Sequence, residues 1–195
     1  GSGKRFFIGG ADPGEIASIS SPDHGYRLAK NGQELCNAIE ALTKPVIAAI
    51  NGRCIGGGNE LALACHIRIA SERAVFQQPE VSLGITPAFG ATQRLPRLIG
   101  PSRARAMILS GEVLGAETAL AWGLVDELVS SDQVLSRTLA LATTITSKSQ
   151  VAIRYAQRAI SFSRDAELAK GLAFELECFK DVCKSDEMAE ALAAF

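Results

Sequence analysis

Two carboxylates and a run of glycines carry the chemical possibilities of this sequence. Gly56-Gly57-Gly58 lies between a short apolar run and an Ala/Leu-rich stretch, with Asn59-Glu60 directly after it. Glycines at such a junction leave the backbone bare, so a substrate group can approach its N–H donors closely. A helix starting there has unpaired N–H groups and a partial positive charge at its first turn. Together these form a donor site for an anion or a developing oxyanion. The same glycines also suit a tight strand-to-helix crossing, and Glu60 is equally a helix-start acid favoured by the dipole. Spacing alone leaves both alternatives open. Glu80, in Gln78-Pro79-Glu80-Val81, sits among apolar and turn residues. An apolar setting favours the neutral form of an acid, which is how a general acid is made. If both carboxylates face one cavity, their repulsion lets one hold a proton while the other is ionised. Such a pair could activate water on one side and deliver a proton on the other.

Competing constellations are thin. A phosphate loop needs Lys-Ser/Thr after its last glycine, where this chain has Asn59-Glu60. His24 and His66 have no acid or cysteine at metal-ligand spacing, so no metal site is expected. Cys65-His66 are neighbours on opposite sides of a strand pattern and make a poor nucleophile–base pair. Gly100-Pro101-Ser102-Arg103-Ala104 breaks the nucleophile-elbow pattern.

The elements that must position these groups follow from periodicity. Phe6-Phe7-Ile8 reads as a strand end, and 11–14 as a loop. Apolar positions from about Tyr26 to Leu42 recur at helical intervals, and Val46–Ile50 is a short apolar run fit for a strand covered on both faces. Asn51-Gly52 turns the chain. Asn59–Cys65 is helix-competent, His66–Ala70 and Ala74–Phe76 read as strands, and 79–90 as a loop region before a helix from Thr92 to Ile99. Further on, Ser102 is placed to cap a helix to Leu109, Ala116–Trp122 is a helix stopped by Gly123, and Val125–Val129 is a strand. Helices are expected over about Asp132–Thr146, Gln150–Phe162 and Asp165–Ala194. The order is α/β wiring up to about residue 130, then a helical region over 131–195.

Composition narrows the class. The chain has 195 residues, 47% apolar and 21% charged, with a formal net charge of −1. That is a packed globular composition, and it offers no electrostatic footprint for nucleic acid or an anionic membrane. No apolar run approaches a membrane span. Five cysteines, an odd count without regular spacing, suggest reduced thiols and an intracellular compartment.

Several segments in order resemble the enoyl-CoA hydratase/isomerase (crotonase) superfamily. They are Pro45–Gly52, Gly56-Gly57-Gly58-Asn59-Glu60-Leu61, Phe76-Gln77-Gln78-Pro79-Glu80, Leu83-Gly84-Ile85, Thr92-Gln93-Arg94-Leu95 and Trp122-Gly123-Leu124-Val125-Asp126, with Gly10-Ala11-Asp12 similar to the first oxyanion-hole loop. The resemblance implies a ββα spiral core and a helical C-terminal trimerisation region, in a chain truncated at both ends. It implies that the N–H groups of Ala11 and Gly57 form the oxyanion hole, that Glu60 and Glu80 are the catalytic acids, and that Ala11, Asp12, Pro13, Gly57 and Phe89 line the substrate site. The implied reaction is syn addition of water to a 2-enoyl-CoA through a stabilised enolate. Coenzyme A enters as part of the substrate and no other cofactor is implied. The implied assembly is a homotrimer or dimer of trimers, in the cytoplasm, or in the mitochondrial matrix of a eukaryote. Both acids favour hydration, since double-bond isomerases of the superfamily commonly keep only the second.

Two departures bear on this. His66 stands where the family usually has Asp, which alters a structural ion pair. Pro87-Ala88-Phe89-Gly90-Ala91 replaces a more glycine-rich loop, so Phe89 narrows or redirects the acyl pocket. Isomerisation, dehydration, hydrolysis or decarboxylation of another acyl-CoA is the alternative, and a non-catalytic RNA-binding homologue a more distant one.

Overall fold

The computed structural model describes residues 1–193. By their internal contacts the residues form two units, one of 1–40 with 46–138, the other of 41–45 with the chain from Leu139 onward.

The first unit is built by repetition. Strands β1 (Phe6–Ile8), β2 (Ile47–Ile50), β3 (Arg53–Ile55), β4 (Ile67–Ser71), β5 (Val75–Gln77), β6 (Leu114–Gly115) and β7 (Glu127–Val129) fall into two sheets. One has the order β1-β3-β5-β6 and the other β2-β4-β7. Sequence neighbours therefore separate: β2 and β3, joined by Asn51-Gly52, go to different sheets, as do β4 and β5. Each ββ pair is followed by a helix, α3 (Gly57–Ala64) in the first case and α4 (Ala91–Ile99) in the second. Successive pairs add in parallel, with Ile47 opposite Ile67 and Cys54 opposite Phe76. The result is a ββα spiral. Short apolar strands suit it because both faces are covered: Ile50, Ile69 and Phe76 are fully buried with Leu95 of α4. Each such side chain contributes about 1.5–3 kcal/mol by leaving water.

Helix α2 (Pro22–Glu40) lies earlier in the chain and begins four residues before the periodicity suggests. Its signal was capping, not periodicity: the Ser21 hydroxyl accepts from the His24 N–H at 3.1 Å and Pro22 follows as the first helical residue. The stretch expected as loop at 11–14 is corrected in the same way. It opens a short helix, α1 (Pro13–Ala17), whose cap is Asp12 and whose first residue is Pro13. Within 79–90 the residues Glu80–Leu83 form one 3₁₀ turn, closed by Gly84 at φ 73°. Helix α5 (Pro101–Ser110) is capped by Gly100 with no side-chain bond, so Ser102 is inside the helix and is not its cap. Helix α6 (Ala116–Trp122) ends, as expected, at left-handed Gly123.

Among the described residues His66 makes no ion pair and bonds to backbone instead. Its Nδ1 accepts from the Val46 N–H at 2.9 Å and its Nε2 reaches the Glu40 carbonyl at 3.2 Å. Burial, aided by Arg68, lowers its pKa, so the ring is neutral and bridges two backbone segments. The ion pair beside it runs between Arg68 and Asp126 at 3.3 Å.

The second unit contains the end of α7 (Val134–Thr146), α8 (Gln150–Ser163), α9 (Leu168–Val182) and α10 (Asp186–Ala193). Phe162 and Phe174 join α8 to α9 with ring centroids 4.4 Å apart. The single long helix expected from Asp165 is instead two, parted at Cys183–Ser185; its expected end, Ala194, lies outside the described residues.

Candidate active site

Glu60 is placed by α3. The glycines make the entry possible: Gly56 has φ 54°, and a Cβ on Gly58 would lie 2.3 Å from the Ile8 carbonyl oxygen. Helix α3 thus starts hard against the end of β1, where only hydrogen fits. A Cβ on Gly10 would lie 3.4 Å from the Gly57 nitrogen, and one on Gly57 would lie 3.6 Å from the Ala11 nitrogen. Ala11 and Gly57 are therefore neighbours. Gly57 is the first residue of α3, so its N–H has no intrahelical acceptor.

The Glu60 side chain is 2% exposed. Its Oε1 accepts from the N–H groups of both Phe89 and Ala91, each at 2.9 Å. Those donors are held in turn, because Gln33 of α2 donates to the Ala88 carbonyl at 2.9 Å and Arg94 donates to the Phe89 carbonyl at 3.1 Å. Arg94 is itself fixed on α2 by a 2.8 Å ion pair to Glu40. Burial raises the Glu60 pKa, while the N–H groups of Ala91, Phe89 and Gly90 and the Arg94 charge oppose the rise. One carboxylate oxygen is thus locked by backbone.

Glu80 is brought to the same place by β5 and the 3₁₀ turn that follows. It is 8% exposed, and its Oε1 lies 2.9 Å from where a Cβ on Gly56 would be. Burial pushes its carboxyl up to about 7, against its own backbone N–H, and the charge of Glu60 adds to the rise. Glu80 therefore feels the charge of Glu60.

Both line a cavity of about 700 Å³ with Ala11, Gly57, Pro13 and Phe89. The rest of the lining is largely apolar, including Ile16, Ile19 and Ala29 from the α1–α2 region and Val81, Leu83 and Ile85. Phe89 packs its ring into the spaces left by Gly32 of α2 and Gly57 of α3, where a Cβ would lie 2.1 Å and 3.1 Å from ring carbons. Asp12 is not in the lining: its carboxylate accepts from the Gly14 N–H at 2.7 Å and caps α1. Asp12, expected to line the substrate site, thus has a structural partner of its own at the start of α1.

Two buried polar residues belong to the site and escaped sequence reasoning. Gln78, fully buried, lies between Glu80 and Asn59. With its amide oriented to satisfy both, Gln78 donates to the Glu80 carboxylate at 3.0 and 3.1 Å and accepts from Asn59 Nδ2 at 3.2 Å. The available signal was an amide two residues before an acid, in a segment otherwise read as buried. Among the described residues there is no cluster of three or more His, Cys, Asp or Glu side chains able to hold a metal ion.

The neighbouring amides of Ala11 and Gly57, two buried acids of unequal environment and an apolar cavity form one constellation. The enoyl-CoA hydratase/isomerase family model matches residues 1–195. The chain belongs to this family. It is 38% identical over 195 residues to the crotonyl-CoA hydratase of Syntrophomonas wolfei, covering all of this chain and 75% of that protein. It is equally 38% identical to the short-chain-enoyl-CoA hydratase of Clostridium acetobutylicum, covering 74% of it. Among solved structures, enoyl-CoA hydratase from Bacillus anthracis superposes with a TM-score of 0.95 at 37% identity, over 100% of this chain and 75% of that one. Pseudomonas aeruginosa DspI gives 0.95 at 37% identity, over 100% and 74%. The fold is therefore the crotonase fold, and the chain spans about three quarters of the length of these relatives.

Proposed function

We infer that this chain is an enoyl-CoA hydratase that adds water across the double bond of a 2-enoyl-CoA. The observation that carries the reading is the convergence of Glu60 and Glu80 on one cavity beside the amides of Ala11 and Gly57. The thioester oxygen is held between those two N–H groups, which stabilise the enolate as charge develops; losing one such donor costs about 10² to 10³ in rate. Both acids hold the attacking water. Ionised Glu60 takes a proton as the water oxygen bonds to Cβ, and Glu80 supplies a proton to Cα on the same face. Proton return between the acids or through solvent restores the pair. Pro13, Gly57 and Phe89 contact the acyl-thioester part. The reaction needs no cofactor beyond the CoA carried by the substrate.

The protein is further proposed to assemble as a homotrimer or a pair of trimers. Support comes from the second unit, where Ile160, Leu168, Leu176 and Phe179 are exposed on α8 and α9; such apolar surface is a mark of association. A cytoplasmic location, or the matrix in a eukaryote, is supported by five cysteines that are all free thiols. Among the described residues no helix is long and apolar enough to cross a membrane.

Crotonyl-CoA turned over in deuterated water tests the reaction. The expected product is 3-hydroxybutyryl-CoA with deuterium at Cα on the face that received oxygen. A 3-enoyl isomer or free CoA as the main product overturns the assignment.

A further inference from the structure

Glu80 has a second layer behind it that the hydration chemistry leaves unexplained. The Gln78 amide lies between Glu80 and Asn59, and an amide there has two orientations with opposite consequences. With its nitrogen toward Glu80 it donates, which favours the carboxylate. With its oxygen toward Glu80 it can only accept, which favours the protonated acid. What selects between them is Asn59, 1% exposed and next in sequence to Glu60. Its Oδ1 lies toward the Cys54 thiol at 3.9 Å, and this thiol is also within 3.6 Å of the Gly58 carbonyl. Asn59 therefore presents its Nδ2 to Gln78, whose oxygen accepts at 3.2 Å, and the Gln78 nitrogen is left facing both Glu80 oxygens.

We propose that Asn59 is a positioning residue that acts through Gln78, fixing the amide so that it donates to Glu80 and holds both carboxylate oxygens in the orientation for proton delivery. It rests on the reading of Glu80 as the acid of a hydratase and extends it to residues that touch no substrate. The physical need is clear. Burial alone makes Glu80 a reluctant acid, and a fixed donor keeps it able to release its proton. The charged and titratable groups facing this chain of amides are Glu60 from α3 and Cys54 from β3. From α5, which packs on the 3₁₀ turn, Arg103 and Arg105 point outward, and Arg103 lies over the Trp122 ring at 5.7 Å.

The test compares Asn59→Leu, Gln78→Leu and the double variant in crotonyl-CoA hydration across pH. A hydrogen bond to a carboxylate changes proton affinity by about tenfold to hundredfold. The pH at which hydration begins to fall should therefore rise by about one to two units in Gln78→Leu. Asn59→Leu should give a shift of the same sign, though it is one residue further from Glu80. KM should stay within about threefold, and the double variant should shift no further than Gln78→Leu, since the two act in one chain. A wild-type pH profile in Asn59→Leu, beside a shifted one in Gln78→Leu, would overturn the proposal.

A second measurement needs neither a variant nor turnover. In the ¹⁵N-labelled protein the side-chain amides of Gln78 and Asn59 should titrate together with the Glu80 carboxyl. Amide signals that stay fixed while Glu80 titrates contradict the relay even if the protein is an active hydratase. Amides that titrate in an enzyme unable to hydrate crotonyl-CoA support the relay and remove the hydratase reading instead.

Discussion

In the proposed reaction Glu80 gives its proton to carbon near neutral pH, so it must first hold that proton, and its burial provides for this. Burial pushes its carboxyl up to about 7; burial raises Glu60 as well, but there two backbone N–H bonds to Oε1 favour the charge and oppose the rise. The proposed roles of acid and base thus rest on a difference in environment, not in residue type. With Glu80 as the proposed acid, hydration requires it protonated, so kcat should fall about tenfold per pH unit above about 7, and dehydration of the 3-hydroxyacyl-CoA should show the opposite limb. Initial rates with crotonyl-CoA from pH 5.5 to 9 check this, and a flat profile contradicts it. At this scale the sequence showed which residues to watch. Glu80 stands out as an acid in an apolar segment, and Glu60 as the acid following a glycine run. It did not show Gln78 and Asn59, because an amide's partner is set by a fold that brings positions 59 and 78 together. For Asp12 the structure adds a local bond: its carboxylate accepts from the Gly14 N–H.

Among the elements, α3 and the end of β1 decide the geometry, because their contact brings the Ala11 and Gly57 amides side by side. Gly58 sits at the closest approach, where a Cβ meets backbone that cannot swing aside. Gly58→Ala should therefore lower both Tm and kcat, the latter by about tenfold or more, through separation of the two donors. Gly84→Ala is the contrast. Its Cβ meets open space and only the left-handed φ of 73° resists, so a loss of about 1 kcal/mol in stability is expected with kcat little changed. Thermal melts and rates on the two variants separate backbone strain from donor geometry. The alternating strands and the Gly123 stop were legible because their patterns are local. Helix α1 and the start of α2 were less so: both announce themselves by a cap followed by proline, Asp12-Pro13 and Ser21-Pro22, and carry too little periodicity to read as helices.

For the molecule as a whole, Glu80 ties stability to pH. The folded state holds its proton more tightly than the unfolded chain, whose ordinary value is 4.5. Its contribution to stability is therefore fully present below about pH 4.5 and is lost as pH rises through about 7. Glu80→Gln, which never ionises, should be the more stable protein at pH 8 by on the order of 2–3 kcal/mol, with the gap closing near pH 5. Urea unfolding at both pH values and one protein concentration measures it. Assembly belongs to this scale too: light scattering should find three or six copies, and a monomer at micromolar concentration contradicts the proposed trimer. The crotonase fold was readable from motif order along the chain, whereas the division of strands between two sheets was not, since it depends on pairings between successive ββα units. The most direct test of the account is kcat for crotonyl-CoA hydration in Glu60→Gln, Glu80→Gln and the double variant. Each single change should cost about 10² to 10⁴, and the double should cost little more than the worse single, because the acids act as one unit. A single variant that keeps the wild-type rate contradicts it.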